Sequence, residues 1–312
     1  IDRMTLKAGS QMVEDIQDYS TLERTMAQFD GVDYMESRGH LVGDYTEVIR
    51  KNDATDAGTL IAKVQALQQG GRTYTKPLLS GVIGKEQEGL HLEVVQLPER
   101  AMGAFNEAVM AGGMVSLPYA THRVFRQYVP SAQTSIDMNI VESAKNVEKV
   151  LIALRKQANL SGYSTVNLDA TVSDPFDLEG GSTSDAKVSQ YQFRYGTEQF
   201  APVEVEGGAL PVVLQALSSM DMLDKSVRLT SLDKDGEAVF EKTGFLIAQG
   251  FKTSADDIEN GLNTASSGAP VELKLKFSAN TTNLALFAFV KSSYSLNIKT
   301  GGNVSLVDGR MA

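Results

Sequence analysis

The chain has three histidines, His40, His91 and His122, and these are the natural first candidates for a general base or a metal ligand. None stands near another in sequence, and no HExxH-like pair occurs. His91 alternates with Leu90 and Leu92, so the pattern puts it on the outer face of a strand. The absence of Cys excludes thiolate nucleophiles, Cys-ligated metals and disulfides together. A GxSxG nucleophile elbow is also missing. Gly81-Val82-Ile83-Gly84-Lys85 has the wrong spacing for a phosphate loop, with Glu86 where Ser or Thr would stand, and reads as a turn. Asp233-Lys234-Asp235-Gly236-Glu237 starts like a calcium loop, but a strand pattern follows where the helix should be, so it reads as a hairpin tip. Asp256, Asp257 and Glu259 read as a solvated loop. A carboxylate pair for glycoside hydrolysis would be expected beside aromatic sugar platforms, and the chain has no Trp and only 7% aromatic residues. No catalytic, cofactor-binding or metal-binding residue is assigned, and no cofactor is expected.

Composition sets wider bounds. The chain's 312 residues suffice for one large domain or two ordinary ones, and 42% hydrophobic with 22% charged residues suits a globular protein with real cores. The longest apolar run, Leu284 to Val290, is far short of the roughly 20 residues that span a bilayer. Ile1 to Thr5 reads as structured chain rather than a secretory signal, and a first residue other than Met is expected where a short leader has been removed. A net charge of −10 with no Lys/Arg run argues against direct bulk binding to nucleic acid.

The elements that would position any site are mostly strands. Val271 to Ser278 alternates strictly, with Val271, Leu273, Leu275 and Phe277 on one face and charges on the other: a half-buried antiparallel strand. Tyr294, Leu296 and Ile298 alternate likewise, as do Val304 and Leu306 beyond Gly301-Gly302. Register constrains that last hairpin. A two-residue loop would oppose Ile298 to Ser305 and mix apolar with polar side chains on one face. A three-residue loop, Thr300 to Gly302, opposes Ile298 to Val304 and Leu296 to Leu306, and this odd-length form, with a Gly at φ > 0, is the expected one. Further strands are expected at Thr59–Leu67, Gly89–Leu97, Ser189–Tyr195, Val203–Val205, Ser226–Thr230 and Ala238–Ile247, with Val147–Leu154 read as strand rather than helix. Helical patterns cover Tyr19–Phe29, capped by Ser20 or Thr21, and Pro211–Met222, with Pro at the first position. Gly31–Thr55 and Ser161–Ala186 are loop-rich, and the second is the expected border between two β units: 1–165 and 166–312.

Several stretches of the second half resemble the double jelly-roll major capsid proteins of tailless icosahedral DNA viruses. They are Ser189 to Gly196 followed by Phe200-Ala201-Pro202-Val203, then Phe245 to Gln249, Asn260 to Thr264, the Val271–Phe277 strand, and Leu286 to Val290 with Tyr294 to Ile298 and Gly301-Gly302. In the first half, Lys76-Pro77-Leu78, Leu90 to Val94 and Lys145 to Arg155 have similar counterparts. The resemblance implies an all-β chain of two tandem eight-stranded jelly rolls, three copies of which form a homotrimer with a pseudo-sixfold outline that tiles a virion shell. It further implies neighbouring capsomers, penton or vertex proteins, minor capsid proteins and an internal membrane as partners. Gly31–Thr55 and Ser161–Ala186 would then carry contacts between copies. Two other classes fit a β-sandwich of this composition: a carbohydrate- or receptor-binding module, and a hydrolase with two carboxylates converging in a cleft.

Overall fold

The structure, a computed structural model, describes residues 3–8, 11–31, 114–157, 187–206, 209–227, 245–251, 261–266, 268–298 and 304–308, with single positions between them. Over these residues the chain runs β1 (Arg3–Ala8), β2 (Gln11–Gln17), α1 (Tyr19–Met26), a 3-10 turn (Ala27–Phe29), β3 (Val115–Val129), β4 (Ser135–Ile140) and β5 (Val147–Lys156). It continues through β6 (Val188–Tyr195), β7 (Glu198–Glu206), α2 (Ala209–Ser219), β8 (Leu246–Gly250), β9 (Val271–Phe277), β10 (Leu284–Ile298) and β11 (Val304–Asp308). The fold class is the expected one, β throughout with short helices.

Pairing defines the topology. β3 pairs with β10, β4 with β9, β5 with β8 and β6 with β7, all antiparallel. The chain from Val115 to Ile298 is therefore one long ribbon folded about the β6–β7 turn, where Gly196 takes φ 59°. Two further pairings, β10 with β5 and β6 with β9, curl this ribbon into sheets ordered β3-β10-β5-β8 and β4-β9-β6-β7. Eight strands so arranged are a jelly roll. β11 lies along the far half of β10, with Ile298 opposite Val304 and Leu296 opposite Leu306, the register expected from the apolar alternation.

This pairing corrects the expected border at 161–186, which divided 1–165 from 166–312. β3, β4 and β5 precede that stretch, yet each pairs with a strand that follows it. The stretch joins two strands of one roll, and the roll starts at Val115. A Gly/Ser-rich composition marks surface chain equally well between domains or between two strands of one sandwich. The strands expected at Thr59–Leu67 and Gly89–Leu97, and the loop residues 299–303, lie outside the described residues. Ser226–Thr230 is not a strand where described: Val227 makes a lone bridge to Gly31. Val227 and Leu229 are buried, and their alternation reports that burial without a ladder.

The helices differ from expectation in their first turns. α1 starts at Tyr19 behind Asp18, which sits at φ 51° and makes no side-chain cap bond. Thr21 is buried and spends its hydroxyl on Arg155 of β5, accepting from Nη1 at 2.6 Å. Pro211 is the third residue of α2 rather than the first, which costs nothing because first-turn N–H groups have no intrahelical partner.

One face of β3-β10-β5-β8 meets the other sheet. The opposite face carries α1 through the Thr21–Arg155 bond and α2 through Ser219, whose hydroxyl donates to the Ala248 carbonyl at 3.1 Å. Cover on both sides accounts for the unbroken apolar runs Leu284–Val290, Val150–Leu154 and Phe245–Ala248, all buried. β9 in the other sheet has one buried and one wetter face, which is why its pattern alternates.

Candidate functional site

The β1–β2 hairpin lies against β3 and the connection from β4 to β5, and together they wall a cleft of about 670 Å³. Its lining includes Met12, Glu14, Arg123, Phe125, Glu142 and Tyr294. Glu14, Asp15 and Glu142 all reach this one cleft, converging carboxylates of the kind a hydrolase would require, and sequence reasoning found none of them. The available signal for Glu14 was its place two residues before Ile16, an acid on the same face of β2 as a buried apolar residue.

All three acids are committed to the walls, Asp15 through an ion pair with Arg3 of β1 at 2.5 Å. Glu14 accepts hydrogen bonds from the Tyr119 hydroxyl and, at 2.6 Å, from the Thr121 hydroxyl. Burial, and then the bond to Glu14, push the Tyr119 pKa up, so this phenol keeps its proton as a donor. Glu142 accepts from the Tyr294 hydroxyl at 2.8 Å, and Arg123 Nε stands 3.5 Å from the same oxygen. The Arg123 guanidinium lies 5.4 Å from the Tyr294 ring centroid. Asp18 and Arg126 form a further ion pair between the hairpin's end and β3. The contacts of Glu14 and Asp18 fasten the hairpin to the roll, those of Glu142 stay within the roll, and each of the three cleft carboxylates is held by a partner.

His122 stands on β3 opposite Lys291 of β10, which in turn faces Lys149 of β5. Burial first, then Lys291 and Lys149, lower its pKa to about 4 against the opposing pull of Glu148. Glu148 pairs with Lys291 at 2.9 Å and accepts from the Ser293 hydroxyl, while Lys149 Nζ donates to Met220 Sδ at 3.4 Å. The cluster holds a neutral imidazole beside two cations, an arrangement that suits packing rather than proton transfer at neutral pH. Among the described residues no group of three or more His, Asp or Glu could hold a metal. None of the described helices is long and apolar enough to cross a membrane. His40, His91, the Gly81–Lys85 turn, Asp233 to Glu237, Asp256 to Glu259, and residues 32–55 and 161–186 lie outside the described residues.

Met4, Leu6 and Met12 are exposed on the hairpin, and Leu210, Leu214 and Leu223 on and just after α2.

Neither a protein-family model nor a curated protein sequence matches the chain. Solved structures do. The capsid of PBCV-1 virus, a quasi-atomic model, is 11% identical over 69% of this chain and 55% of its own, with a TM-score of 0.42. The Sputnik virophage structure by cryo-EM is 11% identical over 64% of this chain and 40% of its own, with a TM-score of 0.37. The mavirus major capsid protein is 10% identical over 61% of this chain and 41% of its own, with a TM-score of 0.31. The chain thus spans about half or less of the length of these structures, to which it is similar in fold.

Proposed function

We propose that this chain is a shell-forming subunit, the major capsid protein of an icosahedral virus, located in the virion. The observation that carries this reading is a jelly roll whose interior is filled with apolar side chains and whose surface exposes further ones on the hairpin, on β3 and around α2. Jelly rolls serve as capsid subunits, lectins and cupin-type enzymes. A cupin-type site needs polar ligands in the roll, yet here Ile136, Met138, Ile140, Leu273, Leu275 and Phe193 fill the inner face of one sheet. Ile152, Leu154, Leu286 and Val290 fill that of the other. A sugar-binding surface needs exposed aromatic platforms, and among the described residues the large exposed apolar side chains are chiefly Met and Leu. Such a surface is suited to association with other copies.

In this reading the partners are other copies of the chain, as a homotrimer of pseudo-sixfold outline and then as neighbouring capsomers, with vertex and minor capsid proteins closing the shell. Size-exclusion chromatography with light scattering tests it. The expected outcome is a species near 101 kDa, three times the 33.7 kDa chain, or particles of megadaltons visible by electron microscopy. A chain that stays monomeric at all concentrations and binds an immobilised glycan instead would replace the shell reading with the binding module.

A further inference from the structure

No further inference is drawn: the strongest candidate, the cleft between the β1–β2 hairpin and β3 into which Glu14, Asp15 and Glu142 converge, is a cluster of acids each already held by a hydroxyl or guanidinium partner, and no second observation among the described residues points to a ligand there.

Discussion

At the residue scale, His122 is the side chain whose environment differs most from its sequence context. Its sequence neighbours Thr121 and Arg123 give no hint that Lys291 and Lys149 lie across the sheet, because those contacts are set by register between distant strands. The folded pKa of about 4 lies below the unfolded value near 6.5. Between these values only the unfolded chain takes up the proton, so stability is complete above the unfolded pKa and falls as pH drops toward the folded one. The expected loss is up to about 3 kcal/mol at the acid end. Urea midpoints at pH 7 and pH 4.5 should show this slope in the parent, and a shallower one in His122→Gln.

Gly261 is a second residue fixed by distant neighbours. A Cβ there would stand 2.1 Å from Asn146 Oδ1 and 2.5 Å from the Val147 carbonyl oxygen. Its N–H donates to that Asn146 oxygen at 2.7 Å, beside the bridge between Val147 and Leu262. Gly261→Ala should cost about 1–3 kcal/mol through overpacking, read as a lower urea midpoint. From the sequence this glycine, in Asn260-Gly261-Leu262, shows only that a loop is present.

Legibility at the element scale follows burial. β9 was plain in the sequence because it has one wet face, so its charges alternate with its apolar residues. The β10–β11 register was legible for the same reason: a slip of one residue would turn the apolar set of Tyr294, Leu296 and Ile298 over. Leu284–Val290 and Val150–Leu154 show no period because helices cover the face that would otherwise be polar. β3 escaped notice for the opposite reason. It is an edge strand, half-exposed, carrying Arg123, Arg126 and Pro118, a residue tolerated where no second neighbour needs its N–H. β1 and β2 are mixed and became strands through their partners, whereas β4 alternates as strictly as β9 and its signal was legible but passed over.

The seating of α2 on β8 turns on one residue. A Cβ on Gly250 would approach both Cα and the carbonyl oxygen of Ser219 at 3.2 Å. Gly250→Val should push α2 away from the sheet at a cost of about 1–3 kcal/mol. Hydrogen exchange should then show faster exchange in α2 amides while β9 amides change little.

For the whole molecule, local patterns gave the strand content but not which strands belong to one body, because pairings such as Val115 with Ile298 are invisible to any window of sequence. The two buried glutamates of the hairpin cleft escaped for the same reason: Glu14 meets Tyr119 and Thr121 over more than 100 residues of chain. The nested order also makes one turn the innermost. The turn at Gly196 and Thr197 joins β6 to β7 and is exposed. Lengthening it adds loop entropy only slowly, about 0.6 kcal/mol per doubling. Eight Gly/Ser residues inserted between Gly196 and Thr197 should lower stability by no more than about 2 kcal/mol and leave the native mass unchanged, as thermal melts and light scattering would record.

Because Val115 is hydrogen-bonded across to Ile298, the roll is entered and left through a single doorway. Polypeptide before and after the roll meets it side by side at this one edge. New sequence can hang from that threshold without threading through the sandwich, provided α1 and the β1–β2 hairpin stay with the roll to cover its faces.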